Sequence, residues 1–405
     1  MNYDFPLIFG IDDVLWAING RDEFVVAEKE GYTVINYNVM MADTFPAIVD
    51  GWCDSDCSCK GCADMRIAAI RRECRGIIFD SKSGAIIRRP FHKFFNVNER
   101  DETQDHVIDM SRDHGILEKL DGSMIAPFIV NGEMIWGTKM GATDVAKPVE
   151  VFVKNNPEYI TFADECISNG WTPIFEWCSR KQRIVLDYFE DQLILTGMRH
   201  LNTGSYALYG NLVELGKGYS IPVAHAYNPQ TDMKAFLNFV HDLEDLEGFV
   251  VRFADGHMVK LKCHWYLQIH KAKEAILQDR NIVELILEEK LDDIKAHLPV
   301  EDRDRLTQFE NDFNRHIKSI VNGVWIDVQF FKSPRYTGDR KDFAINYAHN
   351  FDGYVRPIMF SMWDKEGTKE QIEAAVYNTV RNNLSRTAKY EAIRDAWFCG
   401  IVFNG

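Results

Sequence analysis

Near residue 266 the hydrophobic pattern of this chain changes its period. Before that point, apolar residues alternate with polar ones or gather in short runs closed by Gly, Asn and Asp. That is the signature of strands and hairpins. Beyond it they recur every three or four residues, as in "NIVELILEEKLDDIKAHL", the spacing of one helix face. Sheets and helical bundles bury their apolar faces differently, so two domains are expected. The pattern predicts an α+β chain: an antiparallel-sheet-rich domain over 1–268, then an all-helical C-terminal domain over 269–405. A chain of 405 residues is also too long for one ordinary core. It contains no internal repeat and no low-complexity tract.

Residues 24–39 predict two strands joined at Glu30-Gly31, and 64–74 a short helix ended by Gly76 before the strand "IIFD". Residues 85–96 predict a strand running into an aromatic loop. "ILEKLDGSMIAPFIVNGEMIWGTKM" alternates like a hairpin turning at Asn131-Gly132, and "EGFVVRFADGHMVKLK" like one turning at Asp255-Gly256. Residues 148–169 read as helical; "TPIFEWCS", "RIVLDYF" and "QLILTGMR" read as β-rich. In the second domain Leu306, Phe309, Phe313, Ile317, Ile320 and Val324 share one helix face. Thr368 and Gln371 form a capping box ahead of Ile372, Val376 and Val380.

The net charge of −15 argues against a surface that coats nucleic acid nonspecifically, but a local basic cleft is compatible with it. No apolar run approaches bilayer-spanning length, and "MNYDFPLIFGIDDVLW" carries early acids and no basic leader. The expectation is a monomer with no membrane partner that stays in the cytoplasm, with its nine cysteines reduced. Four of them, Cys53, Cys57, Cys59 and Cys62, crowd into "CDSDCSCKGC". Four thiolates could wrap Zn²⁺, although structural zinc sites usually join two short Cys pairs across a longer segment. The plainer reading is a polar surface loop.

"EKLDGSMI", residues 118–125, sets Lys119 two residues before Asp121. A lysine is protonated at neutral pH, so attack on phosphorus requires a neighbouring cation or desolvation to lower its pKa. The phosphate under attack needs further cations, and any metal needs carboxylates. The sequence offers such a set: Arg75, Lys93, Lys139, Lys260 and Lys262 as cations, Asp121, Glu176 and Glu247 as acids. Lys260 and Lys262 are spaced to face the same way on a strand, where they would repel unless an anion lay between them. Each feature alone has an ordinary reading: a solvated strand face for K-x-K, a helix C-cap for Arg75, a buried structural carboxylate for Glu176.

Taken in order, "EKLDGS", "IFEWCS", "LEGFVV" and "VKLK" resemble the nucleotidyl-transfer motifs of the covalent nucleotidyltransferases, the ATP-dependent ligases and mRNA capping enzymes. "ECRGIIF", "RPFHKFFNVNE", "RIVLDYF…LILTGMR" and "VKLKCHWY" more sharply resemble the phage-type RNA ligase 1 family, the tRNA-repair ligases of T-even phages. The likeness covers nearly all of 70–270 and fades in the helical part. It implies an ATP-grasp-like nucleotidyltransferase fold, no OB domain, and ATP with Mg²⁺ or Mn²⁺. It also implies a single-stranded RNA or nicked tRNA anticodon loop as partner, in the host cytoplasm if phage-encoded. By the resemblance, Lys119 would attack the α-phosphate, which Lys260 and Lys262 would hold. Arg75 and Lys93 would grip the outer phosphates. Asp121, Glu176 and Glu247 would organise the metal, partly through water, with Glu176 also reaching the ribose. Lys139 and Tyr266 match family positions with roles left open. Two rivals stand beside this reading: a capping or DNA-ligase type of transferase, and a non-catalytic module that binds RNA ends.

Overall fold

The computed structural model describes residues 5–48 and 59–403. Cys53 and Cys57 lie outside them, so the four-cysteine zinc reading does too; of its other members Cys59 is exposed and Cys62 buried. The chain divides into two compact units, Met1–Leu267 and Gln268–Gly405. No helix among the described residues is long and apolar enough to cross a membrane.

The first unit mixes helices with strands that pair almost entirely antiparallel, an α+β arrangement. Its strands are β1 (Phe24–Lys29), β2 (Tyr32–Tyr37), β3 (Ile77–Asp80), β4 (Ile86–Arg88), β5 (Phe95–Asn96), β6 (His114–Lys119), β7 (Ser123–Val130), β8 (Glu133–Gly137), β9 (Trp171–Cys178), β10 (Gln192–His200), β11 (Ala226–Tyr227), β12 (Gly248–Phe253) and β13 (Met258–Lys262). They form three sheets, ordered β1-β2-β3-β4, β10-β9-β7-β8 and β11-β6-β12-β13-β5. Its helices are α1 (Ile11–Ile18), α2 (Lys60–Glu73), α3 (Lys147–Asn155), α4 (Glu158–Ser168), α5 (Tyr209–Tyr219) and α6 (Met233–His241), with α7 (His264–Ala275) running past its end.

The hairpin at Asn131-Gly132 forms as expected, because both turn residues take positive φ, 51° and 83°, the requirement of a tight primed turn. β6 does not belong to that hairpin. It pairs with β12 and β11 in another sheet, so Lys119 ends its strand where the chain crosses from one sheet to the next. The helical reading of 148–169 resolves into α3 and α4, broken at Asn156-Pro157 because proline offers no N–H to continue the ladder. Over 85–96 the expected strand running into an aromatic loop is present: β4 ends at Arg88, and Phe91 and Phe94 lie in the loop before β5.

"RIVLDYF" is not a strand. The backbone N–H groups of Val185 and Leu186 both donate to the Asp121 carboxylate, each at 2.7 Å. Strand pairing loses those donors to a charged acceptor, which makes the stronger bond.

Among its described residues the second unit is built of helices: α8 (Asp279–Leu287), α9 (Leu291–Lys295), α10 (Val300–Lys332), α11 (Arg340–Asn346), α12 (Val355–Ser361), α13 (Lys369–Asn383) and α14 (Thr387–Trp397). Leu306, Phe309, Phe313, Ile317 and Val324 of α10 are buried in one core; Ile320 sits at its edge and Val321 takes the buried place. The Thr368–Gln371 capping box is present.

Candidate active site

The sheet β11-β6-β12-β13-β5 presents one face as rows of side chains. Gly248 stands opposite Lys119 on one side and Lys262 on the other. Val250 stands between Leu117 and Lys260, and Arg252 between Gly115 and Met258. Alternation of strand side chains keeps the residues of each strand, two apart, on one face.

Glu247 precedes the first row and is 3 % exposed. Its Oε1 lies 2.7 Å from Lys119 Nζ and 2.9 Å from Lys262 Nζ. One buried carboxylate thus holds two ammonium groups from flanking strands. Gly248 is essential to that placement: its φ is 146°, and a Cβ there would meet the Leu261 carbonyl oxygen at 1.9 Å. Gly122 has a similar reason, since its Cβ would come within 2.4 Å of the Trp177 carbonyl oxygen. That close approach brings the chain after Lys119 against β9, which carries Glu176.

A cavity of about 520 Å³ opens on this face. Arg75, Lys119, Lys139, Lys260 and Lys262 line it, with Glu176. In a chain of net charge −15 this is a local concentration of cations. Phe94 organises part of it, with Lys260 Nζ 5.8 Å from its ring centroid and the Arg75 guanidinium carbon 6.0 Å away. Burial, followed by the charges of Lys93, Lys119 and Arg75, lowers the Lys260 pKa to about 7. Burial raises Glu176 to about 7; Lys119 opposes that shift and Glu247 adds to it. Groups poised this way in a cleft are those expected of a reactive site.

Lys93 is buried behind this wall rather than lining it, 4.9 Å from the Phe95 ring centroid and 5.5 Å from that of Tyr37. Asp121, Glu247 and Tyr266 do not line the cavity either. Asp121 is 3 % exposed. Besides the two backbone donors at Oδ2, its Oδ1 accepts from Tyr266 Oη at 2.7 Å. No group of three His, Cys, Asp or Glu placed for a metal occurs among the described residues, although the charges of Glu247 and Asp121 both act on Glu176. The donors that surround Asp121 and Glu247 are ammonium, hydroxyl and amide groups, which a cation would have to displace. Asp121 acts here as the anchor of the 183–190 loop. Asp121→Asn should lower the unfolding free energy by about 1–3 kcal/mol in urea titration and expose that loop to limited proteolysis. An unchanged midpoint and an unchanged cleavage pattern would show that the loop is held by something else.

Sequence reasoning missed several lining residues. Glu118 was overlooked beside its neighbour; Arg252, Met124, Met140, Thr138 and Thr196 carry no local signal that separates them from ordinary strand residues. The strand alternation of "FVVRF" could have put Arg252 on the face of Val250.

A sequence profile described as RNA ligase matches residues 73–266. Over 238 residues the chain is 31 % identical to a Thermovibrio ammonificans protein whose name assigns it provisionally to the RNA ligases, covering 56 % of this chain and 61 % of that one. It is 25 % identical over 240 residues to RNA ligase 1 of bacteriophage TS2126, covering 56 % and 58 %. The matched region thus spans about six-tenths of the length of these relatives. Among solved structures, an archaeal ATP-dependent RNA ligase aligns over 76 % of this chain and 79 % of its own, at 12 % identity and a TM-score of 0.46. A Naegleria gruberi RNA ligase solved with ATP and Mn aligns over 44 % and 57 %, at 14 % and 0.37. The profile and the two curated relatives agree with the cation-lined row described above: over residues 73–266 the chain is similar to RNA ligases, a phage RNA ligase 1 among them.

Proposed function

We propose that this chain is an ATP-dependent RNA ligase that joins a 5′-phosphate to a 3′-hydroxyl through a lysyl-AMP intermediate, serving RNA or tRNA repair. The observation that carries it is Lys119 Nζ at the cavity, held by a carboxylate that also holds Lys262. In the first step Lys119 Nζ forms a bond to the α-phosphorus and the bond to the β-phosphate breaks, releasing pyrophosphate. In the second, a 5′-phosphate oxygen of RNA takes the AMP and frees the lysine. In the third, the 3′-hydroxyl attacks that 5′-phosphorus and AMP leaves.

Several features support this assignment. Glu247 Oε1 is within hydrogen-bond reach of the Lys119 ammonium, placed to orient it and to hold its proton. Lys260 and Lys262 are placed for the α-phosphate, and Arg75 for the outer phosphates, with Lys93 adding charge from behind the wall. Lys139 lines the same cavity. The protein's carboxylates do not of themselves make a divalent-metal site; Mg²⁺ or Mn²⁺ would come with the nucleotide phosphates, and no step above runs through it. The helical second unit, in place of an OB domain, would select the RNA. Its basic residues are partly engaged: Arg340 pairs with Asp364 at 3.1 Å and Arg381 donates to the Leu287 carbonyl. Arg335, Lys341 and Arg386 complete the set for an RNA-binding survey.

Incubation with ATP labelled at the α-phosphate tests the reading. Label should remain on the protein through a denaturing gel, and added pyrophosphate should remove it. Label at the γ-position should not transfer. Absence of any adduct would sink the proposal.

Lys260 supplies a second test. With its pKa near 7, it is mostly neutral at pH 8. A bound phosphate favours the ammonium form, so nucleotide binding at pH 8 should take up a proton. Calorimetry in two buffers of different ionisation enthalpy should then give different heats. Lys260→Arg, cationic throughout, should abolish the difference. Equal heats for the unmodified protein would count against Lys260 as a phosphate contact.

A further inference from the structure

The second unit holds a cavity of its own, of about 620 Å³, that the ligation chemistry leaves unused. Its wall includes Asp339, Arg340 and Lys341 at the start of α11, Phe360 of α12, and Trp363 and Asp364 just beyond α12. The two rings rest on the core. Fully buried Phe343 lies 5.2 Å from the Phe360 ring centroid and 5.2 Å from that of Trp363. Both rings are half-buried. Hydrogen bonds fix the backbone around them. Lys332 Nζ donates to the carbonyls of Trp363 and Lys365, at 3.1 and 2.7 Å. Asp339 Oδ1 accepts from the N–H groups of Lys341 and Asp342. Arg340 Nη1 meets Asp364 Oδ2 at 3.1 Å, and its guanidinium carbon lies 5.8 Å from the Phe360 ring centroid. Lys341 is exposed and forms no ion pair among the described residues.

These groups define a ligand by exclusion. An inorganic anion would gain Arg340 and Lys341 but face Asp339 and Asp364, and an organic cation would meet the reverse. A carboxylate only accepts and a guanidinium only donates. Asp364 beside Arg340 therefore suits a planar edge that sets a donor next to an acceptor. Their own bond is between exposed side chains, so it is weak in water and open to exchange for such an edge. The two aromatic rings suit flat apolar faces. An asparagine or glutamine side chain has the edge but not the faces; a nucleobase has both. Lys341 then has a use as well, because each nucleotide brings a phosphate. Unpaired RNA is read in this way, by bases splayed onto aromatic rings and hydrogen-bonded along their edges. A paired base hides its faces in the helical stack and its pairing edge in its partner, so the site excludes duplex.

We propose that this cavity binds one unpaired nucleotide of an RNA, its base against the rings of Trp363 and Phe360, its edge at Arg340 and Asp364, and its phosphate at Lys341. The inference rests on the RNA-ligase reading above for the identity of the polymer. It gives the helical unit a means of telling an unpaired loop from a duplex.

The probes are a fluorescein-labelled RNA stem-loop, carrying 5-iodouridine at one loop position at a time, and a fully paired RNA duplex of the same length. Irradiation of the stem-loop on the unmodified protein should crosslink at least one loop position to the segment 360–364, located by mass spectrometry of the digest. In fluorescence anisotropy, Trp363→Leu should weaken stem-loop binding roughly fivefold to a hundredfold, the loss of one stacked base, and leave duplex binding as it was. Trp363→Phe, which keeps a ring, should recover most of that loss. Each variant is compared with itself across the two RNAs, so a general loss of stability cancels. A stem-loop that binds but crosslinks only outside 360–364 overturns the proposal, even if Trp363→Leu does not fold. So does an equal loss of stem-loop and duplex in Trp363→Leu. So does occupation by a second copy of the chain, seen as self-association in sedimentation that Trp363→Leu abolishes while stem-loop binding is kept. A lysyl-AMP adduct without the crosslink defeats this inference alone; absence of both the adduct and any RNA binding defeats the ligase reading and this one with it.

Discussion

Lys119→Arg should leave no AMP on the protein after incubation with α-labelled ATP, and Lys119→Ala should do the same. Arginine stays protonated at any working pH, so it has no lone pair for phosphorus. It can still pair with Glu247, which holds Lys119 Nζ at 2.7 Å. The arginine variant should therefore melt close to the unmodified protein while losing the adduct completely, which separates chemistry from folding. An adduct retained in either variant would move the nucleophile elsewhere, with Lys260 and Lys262 the first alternatives on the same cavity wall. Sealing of an RNA already adenylylated at its 5′ end should survive better than sealing from ATP, because that step bypasses the lysine.

The second large effect is on stability. Glu73 is 2 % exposed and receives Arg89 Nε at 3.1 Å, Arg199 Nη1 at 2.6 Å and Arg199 Nη2 at 2.7 Å. Glu73→Ala leaves two buried guanidinium groups without their anion and should cost about 3–5 kcal/mol in guanidinium chloride unfolding. The ion cluster ties the end of α2 to the loop after β4 and to β10, so it also sets Arg75, Phe91 and Phe94 at the cavity. Burial alone would raise the Glu73 pKa; Arg199 and Arg89 outweigh it and hold the pKa below the ordinary 4.5. With the folded pKa depressed, this stabilisation is full above about pH 4.5 and fades as pH falls through the folded value. The difference in unfolding free energy between Glu73→Ala and the unmodified protein should therefore shrink under acid. A difference independent of pH would show that the carboxylate's charge is not what matters.

The sequence exposes elements whose signal is local. The Asn131-Gly132 turn and the Thr368 cap each need only a few adjacent residues, and both are found. Lys119, Arg75 and the 260–262 pair were singled out because a phosphate site would demand cations, and the structure brings them to the wall of one cavity. Glu247 was read as a metal anchor, yet two lysines use it; which strands lie beside it depends on sheet order, not on its own neighbours. The surroundings of Asp121 depend on the fold in the same way. Its partners, Val185, Leu186 and Tyr266, are distant in the chain and include backbone amides that no side-chain pattern reveals. "RIVLDYF" is lost as a strand for a related reason: its β-branched residues favour a strand, and a remote carboxylate overrides them.

The row Lys119–Gly248–Lys262 has a consequence for synthesis. Lys119 leaves the ribosome well before the strands that flank it. Until β12 and the residue before it are made, Lys119 has no Glu247 beside it; until β13 is made, Glu247 has no Lys262. On the proposed assignment of Lys119 as nucleophile, the unfinished chain would lack reactivity until the last strand of its sheet is made.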